Sequence, residues 1–216
     1  MNWLSQNWQS VWDLLILHLS ISATAVIAAT LLAIPIGRFA FQHPVIGGTL
    51  LSATTLIYAI PSLPLIVIIP IVIGTPIRAP VTIIVALSLY GLALLVRTAA
   101  DAFDSVDPNV RQAAQAIGFS RRNLLWKVDM PLALPVFISG VRVVTMSTVG
   151  LVTIGSVVGI SSLGSLLTDG YERGIMAEVA TGIIATVVLA LVLDALILLL
   201  GRVLAPWTAA VERSGA

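Results

Sequence analysis

Long apolar runs alternate with short polar islands along this chain. Residues 19–37 carry no formal charge, close to the roughly 20 apolar residues that cross a bilayer as a helix. They end in Pro35, Ile36, Gly37 and Arg38, which read as a stop with a positive flank. Residues 44–77 form a second charge-free run of 34 residues, too long for one straight span and too short for two with a loop. Pro61, Pro64, Pro70 and Pro76 punctuate its second half. The pattern therefore predicts a helix over about 45–58 and a kinked or broken continuation. Residues 79–96 form a third run, bounded by Arg78 and Arg97. A fourth begins near Pro131 and reaches about Val158, interrupted only by Arg142, and a fifth, 179–204, holds Asp194. The expectation is an all-α integral membrane protein with five spans, about 16–37, 45–73, 79–97, 131–158 and 179–204, in one transmembrane domain over 1–216. Between the last two spans, the Gly/Ser-rich residues 155–165 should leave regular helix. Residues 169–178 carry four charges and read as an exposed loop. Residues 1–13 hold Trp3, Trp8 and Trp12 without Lys or Arg. Such a segment reads as interfacial rather than as a cleaved signal, which needs a positive start.

Composition agrees. The chain is 58% hydrophobic and 10% charged, against about 25% charged in soluble domains. Cysteine is absent, which excludes disulfides and thiol chemistry. A net charge of +1 gives no case for a nucleic-acid partner. The single lysine, Lys127, precedes Val128, and no Gly-rich loop ends in Gly-Lys-Ser/Thr, so ATP hydrolysis would have to come from another subunit. No metal-ligand set is visible. His18 and His43 lack a metal-spaced partner and read as interfacial side chains. Gly159, Ser161, Ser162 and Gly164 do not have hydrolase-elbow spacing.

One polar island is different. Nine of the 21 formally charged residues lie between Arg97 and Asp129. Asp107 followed by Pro108 is a helix start, because Asp accepts from free backbone N–H groups and Pro suits the first helical position. Val110, Ala113, Ala114 and Ile117 follow at helical spacing as a narrow apolar stripe. Gly118 is a stop, Ser120 can cap a second short helix, and Pro131 should limit that helix. With this loop in the cytoplasm, Arg38, Arg97, Arg111, Arg121, Arg122, Lys127, Arg202 and Arg213 lie inside, and only Arg78 and Arg173 outside. The positive-inside rule then puts the N-terminus outside and the C-terminus in the cytoplasm, with loop 107–128 between spans 3 and 4.

These residues resemble the permease subunits of bacterial ABC importers. That family carries a cytoplasmic motif of Glu-Ala-Ala, three residues, Gly, nine residues, then Ile-x-Leu-Pro. Here Gln112, Ala113, Ala114, Gly118, Val128, Met130 and Pro131 stand at the matching spacing, with Gln for Glu, Val for Ile and Met for Leu. The resemblance implies that Gln112, Ala113, Ala114, Ile117, Gly118 and Pro131 serve ATPase coupling. It also implies partners: ABC ATPase subunits that bind the ATP and Mg, a second permease subunit (identical or not), an external substrate-binding protein, and membrane lipid. This chain would hold no cofactor, catalyse no reaction and sit in the bacterial cell membrane.

Other features resemble permeases for glycine betaine, carnitine and choline. Residues 58–65 follow those permeases' Thr-Ile-Pro-Ser-Leu-Ala-Leu stretch, with Ala59 for Thr and Pro64 for Ala. Gly140, Val141 and Arg142, and the last span through Asp194, Gly201 and Arg202, add to the likeness. The candidates for the translocation path are Tyr58, Pro61, Ser62, Pro64, Ser161 and Ser162. Non-helical backbone at membrane depth must be buried in protein or line a cavity. A charge inside a span is costly and seeks a partner, so Arg142 and Asp194 are expected to pair. The cargo implied is an osmoprotectant moved by alternating access. The alternatives are methionine, another amino acid or an oxyanion on the same machine, and then an ATP-independent channel or an intramembrane enzyme.

Overall fold

The computed structural model describes residues 2–207, and every regular element among them is helical. The helices are α1 (Asn2–Gln42), α2 (Pro44–Ala59), α3 (Ser62–Ile73), α4 (Pro80–Asp104), α5 (Pro108–Ala116), α6 (Arg121–Leu124), α7 (Met130–Ile154), α8 (Gly164–Glu172) and α9 (Met176–Leu204). A π-helical turn, Leu125–Asp129, joins α6 to α7, and a 3-10 turn, Gly155–Val158, follows α7. Among the described residues, four stretches are long and apolar enough to cross a membrane: α1, α4, the α6–α7 run and α9. The α2 and α3 helices together are a fifth candidate, bent by 105° at their junction. Arg213, counted above for the charge bias, lies outside the described residues.

Several boundaries differ from the sequence expectation, each for a local reason. Helix α1 runs from Asn2 through Pro35 to Gln42, so the three Trp residues near the start are helical and Pro35 is no stop. Gly37 serves close packing instead: a Cβ there would lie 2.4 Å from Ala99 Cβ. Helix α4 continues past Arg97 to Asp104. Arg97, Asp101 and Asp104 recur at helical spacing on its exposed side, while Ala99, Ala100, Ala102 and Phe103 are buried on the other. The polar island is thus partly an amphipathic extension of a span. Pro131 does not end the second short helix either. The Met130 N–H donates to the Leu125 carbonyl five residues back, and the wide turn lets the chain pass into α7 with Pro131 in its first turn. Residues 169–178 are not an open loop: α8 takes up the first part, and Glu178 is buried.

The core is built around α1 and α4. Ala29 and Ala33 of α1 pack with Leu95, Val96 and Ala99 of α4 and with Ala133, Phe137 and Val144 of α7. Small side chains allow this approach, which in a bilayer replaces the hydrophobic driving force. A second cluster seats α3, through Leu65, Ile66 and Ile69, against Ile21, Ile83 and Leu87. A third joins Val11 and Val149 to Leu163, Leu166 and Leu189.

Candidate functional site

The short helix α5 begins and ends by side-chain chemistry. Asp107 Oδ1 accepts from the Asn109 N–H at 2.8 Å, and Pro108 opens the helix. Gly118 has φ +90°. The Phe119 N–H donates to the Ala114 carbonyl at 3.1 Å and the Gly118 N–H to the Gln115 carbonyl at 3.0 Å, which closes the helix in a Schellman turn. Ser120 Oγ then accepts from the Asn123 N–H at 3.3 Å to start α6. The predicted stripe divides. Ala114 turns inward and is buried, whereas Val110, Gln112, Ala113 and Ile117 are exposed, Ile117 at 77%.

Beneath α5 lies a charged anchor. Asp129 is 1% exposed and faces two arginines. Its Oδ1 accepts from Arg111 Nε at 2.7 Å, and its Oδ2 lies 2.7 Å from Arg38 Nη1. Arg111 also donates to the carbonyls of Val106, at 3.1 Å, and Phe103. Arg38 sits over the Phe103 ring at 4.9 Å, and Arg111 over Phe41 at 4.9 Å. One carboxylate thus joins the end of α1, the end of α4, α5 and the entry to α7. Sequence reasoning missed this role for Arg38, Arg111 and Asp129. The available signal was Asp129 itself, an acid beside the Pro131 turn at the edge of a basic segment.

The other singled-out residues lie elsewhere. Tyr58, near the end of α2, stacks obliquely on Tyr90 of α4 with ring centroids 4.7 Å apart. Pro61 caps α3 at the 105° elbow; it and Pro64 are exposed, and Ser62 is half-buried. Ser161 is exposed. Ser162 is fully buried: its Oγ accepts from the Gly164 N–H at 3.0 Å and donates to the Val152 carbonyl at 3.3 Å, so its hydroxyl holds a turn. Arg142 of α7 and Asp194 of α9 form a two-pronged pair, Nε to Oδ1 at 2.7 Å and Nη2 to Oδ2 at 2.8 Å. His18 does not face a membrane surface. It is fully buried, and its Nε2–H donates to the Val149 carbonyl at 3.0 Å.

Helix α5 is capped at both ends and mostly exposed, and comparison with known proteins identifies the bundle that carries it. Residues 29–210 match the family model described as binding-protein-dependent transport system inner membrane component. The chain belongs to this family. It is an integral membrane permease subunit of an ABC importer. Among its relatives, the osmoprotectant import permease protein OsmW of Salmonella typhimurium is 34% identical over 88% of this chain and 89% of that protein. The choline transport system permease protein OpuBD of Bacillus subtilis is 28% identical over 95% of this chain and 90% of its own length. The carnitine transport permease protein OpuCD of Listeria monocytogenes is 28% identical over 88% and 84%. Among solved structures, the inward-facing MetNI methionine ABC transporter superposes with a TM-score of 0.74 over 90% of this chain and 94% of that chain. At 21% identity, that likeness concerns the fold.

Proposed function

We propose that this permease crosses the membrane five times, with the N-terminus outside and α5 and the C-terminus in the cytoplasm. It pairs with a second permease subunit, identical or related, and moves a quaternary-ammonium osmoprotectant such as glycine betaine, carnitine or choline. The observation that carries the cargo reading is the 34% identity to an osmoprotectant import permease over nearly the whole chain. The anchor supports five crossings. The C-terminal ends of α1 and α4 meet at it, through Arg38 and Phe103. Two helices that run in parallel need the segment between them to return across the bilayer, and α2 with α3 is that return. The basic residues clustered near α5 favour its cytoplasmic placement.

In this reading a separate ATPase subunit, which holds ATP and Mg, docks on the exposed Gln112, Ala113 and Ile117, with Gly118 setting the exit of the helix. Ala114 and Pro131 shape that surface from within. Closure of the ATPase pair shifts the permease between inward- and outward-open states. An external binding protein delivers the cargo. The elbow at Pro61 supplies the path with Tyr58, Ser62 and Pro64, because a broken helix at membrane depth needs a protein or water neighbour. Ser161 is a further candidate near the outer mouth, and Ser162, turned inward, is not. The exposed side of α9, with Ile184, Val188 and Leu191, suits lipid.

The test is reconstitution of the whole transporter, with its ATPase and binding protein, in liposomes. ATP-dependent uptake of at least one labelled quaternary amine is expected. Uptake of methionine without any quaternary amine would refute the cargo assignment and leave the transporter class intact.

A further inference from the structure

Helix α5 is lightly held by its own packing. Ala114 is its one buried side chain, and both of its connections are short turns, 105–107 and 117–120. A push on such a helix would be absorbed locally unless something ties it down. The Asp129 carboxylate provides the tie. Both of its oxygens are engaged, by Arg111 from α5 and by Arg38 from α1. Arg111 extends the link to α4 through the Phe103 and Val106 carbonyls. Both guanidinium groups also lie over rings, Arg38 over Phe103 and Arg111 over Phe41. The π-helical turn ends at Asp129. One extra residue in a turn rotates the next helix by about 100°, as one residue does in an α-helix. The turn thereby sets the direction of the carboxylate relative to α7.

We propose that Asp129 is a positioning residue that makes α5 move as one body with the cytoplasmic ends of α1, α4 and α7, and that Arg38 and Arg111 are its two arms. This rests on the importer reading above. Motion imposed on α5 by the ATPase then reaches three spanning helices at once. Without the anchor the ATPase still docks, since the exposed side of α5 is unchanged, yet its stroke turns α5 without turning the spans.

The experiment uses the whole transporter in liposomes, with partner subunits freed of reactive cysteine, and the absence of cysteine from this chain. Spin labels at Gln115→Cys, off the apolar stripe, and Gln42→Cys, at the end of α1, report the α5–α1 distance without nucleotide and with ATP. In the otherwise unaltered permease that distance is expected to stay the same in both states. Asp129→Asn keeps the shape and removes the charge. It is expected to retain ATPase co-purification, to broaden the labelled distance, and to lower cargo moved per ATP hydrolysed about tenfold. Arg111→Lys keeps the charge but loses the fork to Phe103 and Val106, and an intermediate loss is expected. If Asp129→Asn does not reach the membrane, Arg111→Lys decides alone. Normal cargo per ATP with an unchanged distance in the variant read would overturn the proposal. So would loss of ATPase co-purification, because the anchor would then shape docking rather than transmit motion. Failure of any ATPase to co-purify with the unmodified permease would instead sink the importer reading beneath it.

Discussion

At the residue scale, the two charges within the apolar runs make the simplest case. Arg142 and Asp194 meet across α7 and α9 with two parallel bonds, a geometry that fixes direction as well as charge. Replacing either one by Leu strands the other in a span, whereas replacing both leaves no orphan. Each single variant is expected to lower membrane abundance and thermal stability in detergent more than the double variant, and the exchange Arg142→Asp with Asp194→Arg should recover part of the loss. A double variant as unstable as the worse single one would count against the pair. Gly37 gives a packing counterpart. Val there would meet Ala99 Cβ and the Val96 carbonyl within 3 Å. Overpacking of this kind costs about 1–3 kcal/mol, so Gly37→Val should lower the melting temperature, and an unchanged one would mean that α1 and α4 separate freely. The pair at Arg142 was legible in the sequence because a lone charge in an apolar run has few possible partners. Asp129 was not: several cations lie nearby in its own island, and the choice of distant Arg38 is made by how α1 packs on α4. His18 was misread for the same reason, since its partner is a backbone carbonyl brought close only by the fold.

At the element scale, the start and stop of α5 were readable because each depends on one or two adjacent residues. Asp107 with Pro108 begins it, and Gly118 at φ +90° ends it. Which side faces outward was not readable, because a nine-residue helix carries only one turn of real contact. The periodicity made Ala113 and Ala114 equivalent, and the structure separates them: Ala114 is buried in the permease and Ala113 is exposed. This decides the right docking test. Ala114→Glu would bury a charge inside the permease and disturb its own fold. Ala113→Glu adds a charge on the outer side alone. It is expected to leave membrane insertion intact and to weaken ATPase co-purification at least tenfold, which corresponds to about 1.4 kcal/mol. Gly118→Val has open space around it but the wrong backbone angle. Holding a β-branched residue there costs about 1–3 kcal/mol, so it should fray the Schellman turn and reduce coupled transport. Normal co-purification and uptake in both Ala113→Glu and Gly118→Val would mean that α5 is not the docking element.

At the scale of the whole molecule, four of the five apolar runs were legible as single long helices, because each is set by composition over some twenty residues. The path taken by the second was not. Four prolines marked a break, yet only packing of Leu65, Ile66 and Ile69 against Ile83 and Leu87 sets how far the chain turns there. The 105° elbow could belong to a bent span or to a loop that re-enters the same side. The parallel course of α1 and α4 favours the span, and it makes a prediction that the charge bias alone does not. On either path α5 lies opposite α8, because α7 crosses between them, but only with five crossings does α5 lie on the same side as the end of α1. On this Cys-free chain, a single Cys can report each side. Tyr171 of α8 is 77% exposed, and Gln115 is exposed on α5 without capping another helix, as Ser120 does. In intact cells an impermeant thiol reagent should label Tyr171→Cys, and it should label Gln115→Cys and Gln42→Cys only after the membrane is opened. Labelling of Gln115→Cys from outside would invert the proposed orientation. Labelling of Gln42→Cys and Gln115→Cys from opposite sides would contradict the anchor itself, since Arg38 and Arg111 could then not share Asp129.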